Sequence, residues 1–195
     1  MQRLALMRRL TETLRHGEAV IGGIGNTNFD LFAAGHRPQN FYMLGSMGLA
    51  FPIALGVALA QPRRGVIGIE GDGSLLMNLG ALATIGAVAP ANLTLIVMDN
   101  ASYQITGGQP TASAGSVDFV AVARAAGIAR SEWASDPDDF VRLIQEALRL
   151  TGPSLIGARI DTAAAAGQPA RDPAQIRDRF MQALGTREDF GARRG

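Results

Sequence analysis

The sequence predicts an α/β domain: a doubly wound, mostly parallel sheet with helices on both faces. Three observations carry that prediction. Apolar runs of strand length at residues 19–24, 66–70, 93–98 and 154–160 alternate with segments of helical length and pattern. The runs are apolar at nearly every position, as strands buried on both faces are. Enough chain separates them for the crossover helices that parallel strands require.

The elements follow in order. Residues 1–16 carry four arginines among apolar residues at helical spacing and predict an amphipathic surface helix, with a transit peptide as the competing reading. The run 19–24 reads as a strand entering a loop at Gly25-Asn26-Thr27. Residues 28–40 read as irregular, punctuated by Gly35 and Pro38. Residues 47–60 are apolar all round and predict a buried or partner-facing helix. A strand at 66–70, a helix at 75–88 and a strand at 93–98 come next. The sixteen-residue loop 99–114 is long enough to suggest function rather than simple connection.

Residues 118–127 read as a helix closed by a glycine, and 128–133 as a strand. Ser135, with Asp138 three residues later, opens a helix running to about Leu150, and 154–160 is the last strand. From Ala163 the composition shifts to Ala, Pro, Gly and Arg, with a helix over 173–184 and a frayed tail, REDFGARRG. The expected organisation is one domain over 1–165, then a C-terminal helix and tail over 166–195.

Composition narrows the function. Eighteen Lys+Arg against seventeen Asp+Glu leave a net charge of +1, which gives no electrostatic case for nucleic acid or an anionic membrane. The absence of cysteine excludes disulfides, thiolate zinc, cysteine-held iron–sulfur clusters and a Cys nucleophile. Two histidines, His16 and His36, exclude an all-histidine metal site. The longest apolar run, 47–60, is too short for a membrane span and contains Pro52. A cytoplasmic location is the expectation.

Ligands of open parallel sheets sit at the carboxyl ends of the strands, so the loops there matter most. Gly71-Asp72-Gly73-Ser74 lies between a strand and a helix, where tight-turning glycines and free helix N–H groups suit an anion. Asp72 would repel that anion unless a cation lay between them. A divalent metal bridging Asp72 to a phosphate resolves the conflict; an Asp that merely caps its helix is the alternative. Asp99-Asn100-Ala101-Ser102 follows the next strand, so Asn100 can converge with Asp72 on one ion. A plain Asp-Asn turn is the alternative there. Gly45-Ser46-Met47-Gly48 precedes the apolar segment, and composition alone would make Met47 a core residue.

GDGS, then an apolar helix and strand, then an Asn 28 residues after the Asp, resembles the diphosphate- and magnesium-binding motif of thiamine-diphosphate enzymes. The resemblance implies a metal site of Asp72, Asn100 and the Ser102 main-chain carbonyl, with thiamine diphosphate and Mg2+ as cofactors. It implies coenzyme contacts from Gly45, Ser46, Met47, Gly71, Asp72, Gly73, Ser74, Asn100, Ser102, Tyr103, Ile105 and Thr106. Met47 would be the wedge under the bend of the coenzyme. The family usually has Asn-Asn where this chain has Asp99-Asn100, and a Gly often follows the Tyr where it has Gln104.

The run NFYMLGSMGLA…GDGSLLMNLGALATI…DNASY…TGG is most similar to the β subunit of sulfopyruvate decarboxylase and the C-terminal domain of phosphonopyruvate decarboxylase. That likeness implies a 2-oxoacid decarboxylase subunit releasing an aldehyde and carbon dioxide. The alternatives are a thiamine subunit of a 2-oxoacid oxidoreductase, a non-catalytic assembly or regulatory domain that keeps the fold, or a fragment of a longer lyase.

Family chemistry needs a glutamate beside the pyrimidine. None of Glu12, Glu18, Glu70, Glu132, Glu146 and Glu188 lies in a matching context. The resemblance therefore implies a partner, a pyrimidine-binding α-type subunit that supplies the catalytic Glu in a hetero-oligomer. Residues 47–60 and 75–88 are the candidate contact surface, with core burial as the alternative. Thr106 is the one catalytic candidate in this chain. A sulfonate or phosphonate on the substrate would need a cation, for which Arg37 is the local candidate. His36 is a candidate proton donor beside it, and a solvated loop pair is the alternative reading of both.

Overall fold

The computed structural model describes residues 1–15 and 17–186. His16 and the expected tail at 187–195 lie outside the described residues. The helices are α1 (Arg3–Thr13), α2 (Asn26–Ala34), α3 (Ala50–Ala60), α4 (Asp72–Leu76), α5 (Ala81–Val88), α6 (Phe119–Ala125), α7 (Pro137–Arg149) and α8 (Pro173–Ala183). The strands are β1 (Ala19–Gly22), β2 (Asn40–Tyr42), β3 (Val66–Gly71), β4 (Leu93–Asp99), β5 (Ser102–Tyr103), β6 (Gln109–Pro110), β7 (Arg130–Trp133) and β8 (Ser154–Arg159). Six strands form one sheet in the order β2-β1-β3-β4-β8-β7, and every pairing in it is parallel.

Alternation along the strands explains why helices cover both faces. On β4, Leu93, Leu95 and Val97 point into the core shared with α3, α5 and α6, while Ile96 and Met98 join the core shared with α1, α2 and α7. α8 closes the first face, where Phe180 meets Phe41 at a ring-centroid distance of 5.4 Å. β4 is buried along its whole length, which accounts for its unbroken apolar run.

The structure departs from the sequence reading in four places. Residues 26–34, expected to be loop, form α2, a helix whose burial comes from tertiary packing rather than a strong propensity pattern. The three-residue strand β2 was hidden in the same stretch. The expected helix 75–88 is two pieces, α4 and α5, broken around Asn78 and Gly80. The long loop 99–114 contains a small antiparallel ribbon, β5 with β6. In addition, the cap of α7 is Asp136, not Ser135: its carboxylate accepts from the Asp138 and Asp139 amides at 2.9 Å each.

The strand order fixes where a ligand enters. From β1 the chain moves outward to β2, then returns to the other side of β1 as β3. The loops leaving β1 and β3 therefore diverge and open a crevice at the carboxyl edge, the switch point of the sheet.

Candidate functional site

A cavity of about 330 Å³ occupies that crevice. It is lined by the loop after β1 (Ile24–Thr27), the loop after β2 (Met43, Leu44, Met47), the β3–α4 turn and the segment after β4. Ten of the twelve expected coenzyme residues line it; Gly45 and Ser46 belong to the loop that bears Met47 but do not. Residues 28 positions apart in sequence thus meet because β3 and β4 are neighbours.

The Asp72 carboxylate is buried. Its Oδ2 accepts from the Thr111 hydroxyl at 2.6 Å, and its Oδ1 lies 3.4 Å from the Asn100 amide. The Ser113 hydroxyl sits 3.2 Å from Asp72 Oδ2 and 2.7 Å from Asp99 Oδ1, so one hydroxyl links two buried carboxylates. Burial, more than the nearby Asp99 charge, pushes the Asp72 carboxyl above its ordinary pKa, against hydrogen bonds that pull it down. Neither carboxylate has an arginine partner among the described residues.

This arrangement fits a hard divalent cation. Two buried carboxylates without a compensating positive group are costly, and an ion offsets them. The Asn100 amide is oriented for the purpose: its nitrogen donates to Gln104 Oε1 at 3.2 Å, and its oxygen, accepting from the Ser102 amide at 3.1 Å, keeps a lone pair. Ala101, between them, adopts a positive φ of 56°. Among the described residues no cluster of three or more His, Cys, Asp or Glu could hold a metal. An ion here would therefore draw its remaining ligands from main chain, water and a phosphate, in the manner of magnesium.

Met47 is half-buried, lines the cavity and belongs to neither core cluster, so core packing does not explain it. Its loop is tied to the β3–α4 turn. The Gly48 amide donates to Ser74 Oγ at 2.9 Å, the Ser74 hydroxyl donates to Glu70 Oε1, and the Ala50 amide donates to Glu70 Oε2 at 2.9 Å. Burial raises the Glu70 carboxyl to about 6 despite these bonds. The Ser74 hydroxyl is thereby committed inside the protein, which leaves its main-chain N–H to face a ligand. Gly73 must lack a side chain, because a Cβ there would stand 2.5 Å from the Tyr103 ring.

Arg37 and His36 do not reach this site. Both precede β2, at the amino edge of the sheet, because β2 runs parallel to β1. Arg37 donates to the Glu18 carbonyl at 3.2 Å, and the His36 ring bonds the Tyr42 hydroxyl at 3.0 Å. Sequence reasoning missed Gly25, Asn26 and Thr27, which line the cavity at the start of α2. The strand-to-Gly-Asn-Thr transition was the available signal. It also missed Arg171 and Pro169, brought to the cavity by a segment without any motif.

Residues 23–158 match the family described as thiamine pyrophosphate enzyme, C-terminal TPP binding domain. The chain belongs to that family. As a thiamine pyrophosphate enzyme domain, it is 41% identical over 180 residues to phosphonopyruvate decarboxylase of Streptomyces viridochromogenes, covering 91% of this chain and 45% of that protein. It is 40% identical over 153 residues to sulfopyruvate decarboxylase subunit beta of Methanothermobacter thermautotrophicus, covering 78% of each. The chain thus spans about half the length of the phosphonopyruvate decarboxylases it matches, and most of the length of the beta subunits. Benzoylformate decarboxylase from Polynucleobacter necessarius shares the fold, with a TM-score of 0.70 at 21% identity over 86% of this chain and 34% of that one.

Proposed function

We propose that this domain is the thiamine-diphosphate- and Mg2+-binding half of a 2-oxoacid decarboxylase whose other half is a separate pyrimidine-binding subunit. The observation that carries the reading is the convergence of Met47, Asp72 and Asn100 on one switch-point cavity beside a carboxylate pair lacking a protein cation. Asp72, the Asn100 amide oxygen and the Ser102 carbonyl would hold the ion, and the ion would hold the diphosphate. The main-chain N–H groups of Gly73 and Ser74, at the start of α4, would meet the diphosphate oxygens. Met47 would support the bend of the coenzyme.

Bound thiamine diphosphate supplies an electron sink for the loss of carbon dioxide from a 2-oxoacid. The chain's own residues position and exclude water. Glu70 and Ser74 fix the Met47 loop to the metal turn, so the two ends of the coenzyme site keep one spacing. Thr106, on the cavity wall, remains the candidate of this chain for contact with the reacting groups. Among the described residues no glutamate lines the cavity: Glu70 is spent on Ala50 and Ser74, and Glu12, Glu18, Glu132 and Glu146 lie elsewhere. This supports a partner subunit as the source of that acid. The exposed Leu49, Met77 and Ile105 beside the site loops, 40%, 60% and 61% accessible, offer it an apolar surface.

No helix among the described residues is long and apolar enough to cross a membrane. Carbon dioxide release from phosphonopyruvate and sulfopyruvate by the chain purified with the neighbouring pyrimidine-binding subunit tests the proposal. Turnover by the pair and none by either subunit alone is expected. Thiamine-diphosphate binding without turnover of any 2-oxoacid would overturn it in favour of a non-catalytic domain.

A further inference from the structure

We infer that Arg171 is the specificity-determining residue of this site, the cation that receives the distal anion of the substrate. The inference rests on the decarboxylase reading above, with the phosphonate- or sulfonate-bearing substrates named in its relatives, and adds the residue of this chain that would recognise the distal anion.

Three charged side chains line the cavity: Arg3, Asp72 and Arg171. Asp72 belongs to the proposed metal site. Arg3 is consumed, its Nε 2.7 Å from Asp30 with both side chains 2% exposed, and its Nη2 donating to the Ala163 carbonyl at 2.8 Å. Arg171 has no ion pair or hydrogen bond among the described residues. The rest of the wall is largely apolar, including Ile24, Phe29, Met47 and Ile160. A substrate anion entering such a cavity loses hydration and needs a charged donor, and a guanidinium can meet a tetrahedral oxyanion with two N–H groups.

The backbone brings Arg171 to this place by design of the local sequence. After β8, the Ile160 amide donates to the Asp99 carbonyl at 2.8 Å, and the side-chain amide of Gln104 donates to the Thr162 carbonyl. The Ala166 amide then donates to Asp30 Oδ1 at 2.8 Å. Gly167 lies against α2, where a Cβ would come within 3.1 Å of the Ala33 side chain. On the other side of Arg171, Asp172 caps α8 by accepting from the Ala174 and Gln175 amides at 2.9 and 3.1 Å. The backbone on either side of Arg171 is therefore pinned, and its exposed side chain lines the mouth of the cavity. Gln104 is central to this strap: its Oε1 also accepts from Asn26 Nδ2 at 3.0 Å and Asn100 Nδ2 at 3.2 Å. Gln104 thereby ties the segment after β4, α2 and the strap together.

The test uses the assembled two-subunit enzyme with saturating Mg2+ and compares wild type, Arg171→Met and Arg171→Lys. Three substrates are assayed: 3-phosphonopyruvate, 3-sulfopyruvate and 2-oxobutanoate, which lacks the distal anion. Thiamine-diphosphate affinity is measured separately by calorimetry. Arg171→Met should raise KM for the two anionic substrates at least tenfold, with kcat changed less than KM. The preference for them over 2-oxobutanoate should fall by a similar factor, and Arg171→Lys should recover part of it. Unchanged KM for the anionic substrates would overturn the inference while leaving the decarboxylase intact. A tenfold loss of thiamine-diphosphate affinity would overturn it too, by assigning Arg171 to the diphosphate. A wild-type complex inert on all three substrates would fail the functional reading itself, and the inference with it.

Discussion

The two ends of the sheet handle charge in opposite ways. At the carboxyl ends, Asp72 and Asp99 are buried together without an arginine partner among the described residues. At the amino ends, Arg9, Arg15, Arg63, Arg64 and Arg149 surround an open groove with Glu12 and Glu18. Two of those arginines have partners: Arg64 donates to the Gly17 carbonyl and Arg9 pairs with Asp138. All eighteen basic residues of the chain are arginines, so the contrast is one of placement rather than of residue type. The amino edge leaves Arg15, Arg63 and Arg149 exposed, where solvent screens their charge. The carboxyl edge instead buries its two carboxylates, and in the proposed reading a divalent ion balances them.

The largest effect should come from removing one of those carboxylates. Asp72→Ala is expected to weaken Mg2+-dependent thiamine-diphosphate binding at least 100-fold, about 3 kcal/mol, while circular dichroism reports an intact fold. Binding as tight as wild type would break the contrast between the two ends. Next, Met47→Ala in the assembled complex should lower kcat roughly tenfold or more and cost under about 1.5 kcal/mol of stability, since the side chain is outside both cores. A pure stability loss would return Met47 to core packing.

Asp99→Asn sharpens the argument because it removes one of the two charges while keeping the side chain's shape. Losing one of two like charges should stabilise the metal-free protein by about 1 kcal/mol and weaken Mg2+ several-fold. Stabilisation that persists undiminished with Mg2+ bound would show that the pair does not serve the ion. The smallest effect belongs to the other end. Arg37→Ala should leave turnover unchanged and cost about 1 kcal/mol in thermal unfolding through its lost packing and Glu18 contacts.

How much of this was legible in the sequence follows the same divide. The buried strands announced themselves because a two-faced parallel sheet needs continuous apolar runs, and β3 and β4 carried the turn at residues 71–74 and Asn100 at their ends. α2 and β2 were invisible because their burial is a tertiary outcome: Asn28 and Asp30 are buried polar residues that no periodicity would place inside. Arg37 was misplaced because closeness in sequence to Gly45 was taken for closeness in space. The parallel strand β2 lies between them and carries the chain from one edge of the sheet to the other. Arg171 was unreadable for the converse reason, since hydrogen bonds with residues far away in sequence, among them Arg3, Asp30 and Gln104, return a distant, featureless segment to the cavity.

The central claim is that the buried carboxylate end of this sheet holds thiamine diphosphate through a divalent ion. Calorimetric titration of thiamine diphosphate into the chain with its pyrimidine-binding partner, in Mg2+ and again in excess EDTA, tests it most directly. Binding that requires Mg2+ is the predicted result. Equal binding in EDTA, or none in either condition, would contradict it.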